Sequence, residues 1–250
     1  RQRRPSRRSF FFLMIRRQRR STPLYSSAAS DVYKRQVLNV LTKAISYSSY
    51  AVIAYIWGAK LITDIYYIGN SYVTVVSGFF IIIISSIFPT IFVKIRLNNS
   101  LFEARKFAGA FIFYIIVPVF IISFFSFFYS TSIFTVVSKI NIEQIKNNHT
   151  TLSIFSFVIL MTVVIEFYKS YLQSLGHFII VASGYLVQSI TFILILFWSK
   201  KILGINSLII SLICSMILQI ITINFYILKK KIWPLISFRL TSKHKSMISV

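Results

Sequence analysis

Long apolar runs are the feature that most restricts what this chain can fold into. From Val37 to Lys231 the sequence repeatedly carries stretches of Ile, Val, Leu and Phe with few charges between them. A helix needs about 20 such residues to cross the hydrocarbon core of a bilayer. The runs lack the strict alternation of membrane β-strands. They predict an all-α, polytopic transmembrane bundle, because a lipid-exposed backbone must satisfy its hydrogen bonds internally.

The apolar runs divide into six predicted spans. Pro89 is expected to end the second span near an interface, and Pro118 to kink the third. Only 13% of the residues are charged, against about a quarter in soluble domains. The net charge of +23 does not indicate nucleic-acid binding, because the basic residues fall between the apolar runs. The spans are predicted at residues 41–57, 65–93, 107–136, 151–175, 178–198 and 203–228.

The Arg-rich residues 1–36 differ abruptly in composition from the apolar runs that begin at Val37. The stretches "FFFLMIRRQRRST" and "SSAASDVYKRQ" resemble translated sequencing adapters. We therefore expect residues 1–36 to be a non-native or disordered basic segment rather than a native cytoplasmic tail. The transmembrane lobe is then expected to span residues 37–231, followed by a truncated juxtamembrane tail at 232–250.

Basic residues are unevenly shared between the two sets of predicted loops. The 94–106 loop, the turn near Lys169 and the tail after residue 228 carry more Lys and Arg than the opposite loops. The positive-inside rule places this richer set in the cytoplasm, with the N-terminus also inside. The predicted location is therefore the cytoplasmic (inner) membrane. The tail is expected either to contact anionic headgroups or to be a plain connector.

Polar residues inside the predicted spans are costly, at about 2.5 kcal/mol or more for a charge at mid-bilayer. Lys43 either snorkels to the interface or acts as a cavity cation. Glu166 and Lys169 are three residues apart and are predicted to pair. Polar stripes in spans one and two either pack against other helices or line an aqueous cavity, which we favour. The candidate substrate contacts are Lys43, Ser46, Ser49, Asn70, Thr74 and Ser77.

The sequence contains no recognisable enzyme motif. His149, His177 and His244 are scattered, and we find neither a Gly-rich phosphate loop nor a nucleophile next to a base. We expect a protein that is not an enzyme and that has no cofactor and no metal site.

The stretch "WGAKLITDIYYIGNSY", from Trp57 to Tyr72, resembles a known junction. Its Gly58-Ala59 and Asp64-Ile65-Tyr66-Tyr67 are similar to the "FGA…TDAFF" junction between the first two helices of MviN/MurJ-type lipid II flippases and oligosaccharide flippases. Further similarities occur in the same order, and the resemblance covers roughly residues 38–240. They are Phe88-Pro89 at the end of helix two, Ser174–Ser189 at the fourth-to-fifth turn, and Ser207–Lys231 as helix six.

The resemblance implies the N-terminal lobe of a two-lobed transporter of the multidrug/oligosaccharidyl-lipid/polysaccharide exporter superfamily. Such a protein moves a lipid-linked anionic glycan by alternating access. Membrane lipids and a coupling ion are further expected partners, and nucleic acid is not. Asp64, or Thr63 in its place, would cap helix two. The expected structural or gating residues are Gly58, Asp64, Pro89, Glu166 and Lys169.

The sequence also departs from this family. Lys43 falls where the family has a first-helix arginine, but Ser49 replaces a second one, and cations near Thr74 to Ser77 are missing. These departures favour a flippase for polysaccharide units over lipid II itself. The alternatives are a cation-coupled multidrug exporter, a polyprenyl-lipid transferase and a non-catalytic membrane scaffold.

Overall fold

The computed structural model describes residues 22–58, 60–138, 141–203 and 206–235. All regular elements within these ranges are helical, which confirms the all-α prediction. In chain order they are α1 (Thr22–Trp57), α2 (Leu61–Ile82), a π-helical segment (Ile83–Ile87), α3 (Phe88–Asn98), α4 (Leu101–Phe128), α5 (Ser130–Val137), α6 (Ile142–Asn147), α7 (His149–Ser174), α8 (Phe178–Leu203) and α9 (Asn206–Lys230).

Within the described residues, five helical stretches are long and apolar enough to cross a membrane. The first predicted span, 41–57, is helical but does not join them, because Lys43 and a series of Ser and Tyr residues lower its hydropathy. Its helix runs from Thr22 without a break at Val37. Residues 1–21 and 236–250 lie outside the described ranges. The five stretches are Thr63–Asn98, Leu101–Phe128, His149–Ser174, Phe178–Lys201 and Asn206–Lys230.

Helix α7 lies at the centre of the bundle. It packs against α2, α4, α8 and α9, and half of its most apolar stretch is buried. Aromatic rings fill its contact with α3: Phe88 lies 5.3 Å from Phe167, and Phe92 lies 5.5 Å from Tyr171, between ring centroids. Since lipid tails are as apolar as these side chains, close packing rather than burial from water holds such helices together.

Pro89 does not end the second span, contrary to the prediction. The helix continues to Asn98, and the π-helical segment directly precedes Phe88 and Pro89. In the π register the N–H of Phe88 bonds the carbonyl of Ile83, so the carbonyl of Ile84 would need the N–H that Pro89 lacks. The buried Ser170 hydroxyl on α7 donates to this carbonyl at 2.9 Å. A side chain from another helix thus replaces the missing donor.

The third predicted span, 107–136, is wrong in its boundaries. Helix α4 already begins at Leu101, where Ser100 accepts a hydrogen bond from the N–H of Glu103, and it ends at Phe128. The chain then turns at Tyr129 into the short helix α5. The turn is fixed by a 2.7 Å hydrogen bond between the hydroxyls of Ser130 and Ser153. Pro118 lies inside α4.

The start of α2 also differs from the prediction. The N-cap residue is Lys60, whose side chain forms no capping hydrogen bond, so neither Asp64 nor Thr63 caps the helix. The Thr63 hydroxyl instead donates to the carbonyl of Gly58 at 2.9 Å, and Gly58 adopts a φ of 62° that disfavours other residues. Asp64 is exposed in the first turn, where its charge complements the helix dipole.

The described loops lie at two opposite ends of the bundle, as the alternation of successive spans requires. At one end, Arg105 Nε donates to the Trp233 carbonyl at 2.7 Å, and Arg96 Nη1 donates to the Ser174 carbonyl at 3.4 Å. We call this the basic end; it comprises the α3–α4 loop, the α7–α8 turn and residues 231–235. At the other end, Ile65, Phe134, Ile145 and Leu152 form a separate apolar cluster.

The bond between α7 and the π-helical segment provides a first test. Ser170→Ala should lower the free energy of unfolding by about 1 kcal/mol, because the buried Ile84 carbonyl loses its donor. Thermal unfolding in lipid nanodiscs measures the change. Ser174→Ala is the matched control, since its hydroxyl bonds only the Ser170 carbonyl of its own helix. Equal stability of the Ser170→Ala variant and the wild type would contradict this role.

The contact between α2 and α7 requires a glycine at position 69. A Cβ added to Gly69 would fall on the ring of Phe155, whereas a Cβ added to Gly78 on the same helix meets nothing within 4 Å. Gly69→Ala should therefore destabilise the bundle by about 1–3 kcal/mol through overpacking. Gly78→Ala should leave the melting temperature unchanged or raise it. If both variants melt alike, the close approach of the two helices is wrong.

Candidate functional site

The candidate site is a cavity that opens where α1 turns away from α2. Helix α1 packs mainly against α8 rather than against α2, its neighbour in sequence. The gap between α1, α2, α8 and α9 holds a cavity of about 170 Å³. It is lined by Ser46, Ser49, Tyr50, Ile53, Tyr66, Asn70, Gln188, Ser189, Phe192, Leu212 and Ser215.

The serines of the cavity are held by hydrogen bonds within the bundle. Ser46 Oγ and Ser189 Oγ lie 3.2 Å apart and join α1 to α8. Ser49 donates to the Ile45 carbonyl at 3.1 Å, and Ser215 donates to the Leu212 carbonyl at 2.7 Å. A hydroxyl that donates to its own helix keeps its oxygen lone pairs. Ser49, which is half-buried, therefore presents an acceptor to whatever occupies the cavity, whereas Ser215 is fully buried.

Two amides supply most of the remaining hydrogen-bonding capacity. The side chains of Asn70 on α2 and Gln188 on α8 line the cavity and have no hydrogen-bond partner among the described residues. Each amide offers two N–H donors and one carbonyl acceptor. Leaving such a group unpaired in an apolar surrounding costs roughly 1–3 kcal/mol. The cavity is thus suited to water or to a polar ligand rather than to lipid tails.

Aromatic rings complete one wall of the cavity. Tyr50 on α1 and Tyr66 on α2 both line it. Tyr50 stacks on Tyr67 with 6.3 Å between centroids, and Tyr66 lies 6.0 Å from Phe155. Tyr66 is buried by its contacts and Tyr50 is exposed, and both rings offer apolar surface next to the polar groups of the cavity.

The cavity brings together three of the six predicted contact residues, namely Ser46, Ser49 and Asn70. Thr74 is exposed with its hydroxyl on the Asn70 carbonyl, and Ser77 is fully buried with its hydroxyl on the Val73 carbonyl. Along the axis of α2, Thr74 lies about 6 Å beyond Asn70, and Ser77 lies about 10 Å beyond it. Lys43 is exposed on α1 and does not line the cavity.

Sequence reasoning missed several lining residues, including Tyr50, Tyr66, Gln188, Ser189 and Ser215. Gln188 carried a usable signal, because an amide inside an apolar run is costly. A second amide, Gln219 on α9, is 1% exposed, and its Oε1 has no partner among the described residues. The tyrosines gave no such signal, since the same residue type occurs all along the chain.

A charged cluster lies between α7 and α8, outside the cavity lining. Lys169 Nζ lies 3.0 Å from Glu166 Oε2, which confirms the predicted pair. The Tyr185 hydroxyl, which was not predicted, donates to Glu166 Oε1 at 2.7 Å. Lys169 also lies 5.4 Å from the centroid of the Tyr185 ring. Both oxygens of the carboxylate therefore already have partners within the protein.

Comparison with known proteins leaves the family of the chain open. The chain matches no protein-family model and no curated protein. The fold and the site together define an all-α bundle with five described helices able to cross a membrane and a polar cavity between helices. Among the described residues, no three His, Cys, Asp or Glu side chains are grouped as metal ligands.

His177 at the basic end provides a pH test. It lies in the α7–α8 turn, with its Nδ1 3.1 Å from the Tyr226 hydroxyl. Partial burial lowers the pKa of His177 below its usual 6.5, and the nearby Lys230 and Arg96 lower it further. The folded protein thus favours neutral His177, and the unfolded chain binds the proton more readily. The free energy of unfolding should therefore fall as the pH drops below about 6.5.

Melting curves at pH 7.5 and 5.5 measure this loss. His177→Gln should reduce the difference between the two melting temperatures, because the titrating group is gone. His149→Gln is a matched control, since His149 is exposed near the start of α7. An unchanged difference in the His177→Gln variant would show that other groups cause the pH dependence.

Proposed function

We propose that this chain is one helical lobe of a membrane flippase, which moves the headgroup of a lipid-linked glycan across the cytoplasmic membrane by alternating access. The supporting observation is the polar cavity between α1, α2, α8 and α9 inside a bundle of apolar helices. Polar groups are expensive within a membrane and are typical of substrate pathways there. The basic end would face the cytoplasm by the positive-inside rule.

Cation-coupled drug export is the first alternative. An exporter of that kind needs an acidic residue that is free to bind a proton, a metal cation or a cationic drug. Asp64 and Glu103 lie in the first turns of their helices. Glu166, which lies deeper in its described span, instead binds Lys169 and Tyr185. This arrangement neutralises the carboxylate and favours the flippase over the exporter.

A membrane transferase acting on polyprenyl lipids is the second alternative. Such an enzyme needs acidic or histidine groups that act together. Glu103 lies 3.5 Å from Lys106 at the basic end, whereas Glu143 is in the first turn of α6 at the opposite end. The two loop carboxylates are therefore too far apart to share a reaction centre.

Thiol protection tests the proposed substrate. In a Cys214→Ser background, single cysteines at positions 49 and 70 should react with a membrane-impermeant maleimide in nanodiscs, because the cavity is open to water. An added undecaprenyl diphosphate-linked disaccharide should slow both reactions, and the drug cation ethidium should not. Position 74 is the control on α2, because it lies outside the cavity lining. Protection by ethidium alone would favour the exporter. If neither cysteine reacts, water does not reach the cavity, and the proposed substrate pathway is wrong.

A further inference from the structure

The cavity between α1, α2, α8 and α9 contains no charged side chain among its lining residues. Its polar groups are hydroxyls and amides, and its apolar groups are Ile53, Phe192, Leu212 and the tyrosine rings. Lys43 precedes Ser46 by three residues but lies outside the lining. The charge character of this cavity therefore differs from that of the basic end.

A neutral lining strongly disfavours a phosphate. Moving an anion from water into a site of low dielectric is costly unless a cation or several donors accompany it. Asn70 and Gln188 supply neutral donors, but each also carries a carbonyl oxygen, and neither brings a positive charge to balance an anion. Ser49 acts as an acceptor, because its hydroxyl donates to the Ile45 carbonyl of its own helix. The lining is thus balanced between donors and acceptors.

A sugar ring fits this balance. Each hydroxyl of a sugar both donates and accepts hydrogen bonds, and the C–H face of the ring packs on aromatic surfaces such as those of Tyr50 and Tyr66. The cavity of about 170 Å³ is on the scale of one monosaccharide ring. A longer glycan would extend beyond it.

We propose that this cavity binds one uncharged monosaccharide ring and that the phosphate of the lipid carrier stays outside it. The inference rests on the proposed flippase function and names the part of the substrate that this lobe recognises. Asn70 and Gln188 hydrogen-bond the hydroxyls of the ring, and Tyr50 and Tyr66 pack against it. The carrier phosphate remains at the bilayer interface, where water and cations solvate it.

Two simple lipids with the same tail test the selectivity. The full chain is placed in phosphatidylcholine nanodiscs free of sugar detergents, with a single cysteine at position 49 in the Cys214→Ser background. Dodecyl β-glucoside should slow maleimide labelling at this position, and dodecyl phosphate should not. Protection by dodecyl phosphate equal to that by the glucoside, or no protection by the glucoside, would overturn the inference.

Variants identify the groups that recognise the ring. Asn70→Leu and Gln188→Leu should each weaken protection by the glucoside about tenfold, because a buried hydrogen-bonding partner is lost. Thr74→Val is the matched control and should change nothing, since Thr74 bonds only its own helix. An equal loss in Thr74→Val would show non-specific insertion of the probe and overturn the assignment. Melting temperatures identify any variant that fails to fold.

A gain of charge provides a test that does not depend on losing binding. Ser49→Lys, read through a cysteine at position 46 of the lining, should make dodecyl phosphate protective and weaken protection by the glucoside. If Ser49→Lys still prefers the glucoside to dodecyl phosphate, the absence of charge does not determine the selectivity of the cavity, and the inference is overturned. Protection by the glucoside but not by the lipid-linked disaccharide would keep the sugar site and reject the flippase function. The reverse result would keep the flippase and reject the sugar site.

Discussion

The satisfaction of backbone hydrogen bonds in the absence of water is the constraint on which this structure depends. It forces the apolar runs into helices, although they are rich in Ile, Val and Phe, residues that favour strands in water. It also explains the most irregular point of the fold. Pro89 removes a donor from within a span, the helix widens to a π register, and Ser170 of α7 bonds the carbonyl left without a partner. The central helix thus stabilises both the packing and the backbone of its neighbour.

The same central helix decides where the bundle is dense and where it opens. Helix α7 packs against α2, α4, α8 and α9. At Gly69, α2 comes close to the Phe155 ring of α7. Helix α1 packs mainly against α8, and the hydroxyls of Ser46 and Ser189 form a hydrogen bond between the two helices. Polar groups of α1 and α2 therefore face a gap instead of each other. The cavity between α1 and α2 thus results from the packing of α1 against α8.

Charge is distributed so that cations and the cavity occupy different regions. Arg96 and Arg105 at the basic end bind backbone carbonyls of the α7–α8 turn and of residues 231–235. The charged pair within the bundle, Glu166 and Lys169, is neutralised locally with Tyr185. The cavity is left with hydroxyls, amides and rings. In the flippase that we propose, this division would separate recognition of the sugar from accommodation of the phosphate.

The sequence by itself determined the helical class, the grouping of loops at two ends and the pairing of Glu166 with Lys169, because hydropathy, the order of the apolar runs and i,i+3 spacing can be read along the chain. It also indicated that Ser46, Ser49 and Asn70 belong to one polar surface. Only the tertiary structure decided that Thr74 and Ser77 lie outside the cavity and that Gln188, Tyr50 and Tyr66 lie within it. Helical spacing fixes the direction of a side chain but not its depth, nor which distant helix faces it. Those depend on how α1, α8 and α9 pack around α7, and that packing is set by contacts between residues far apart in the chain.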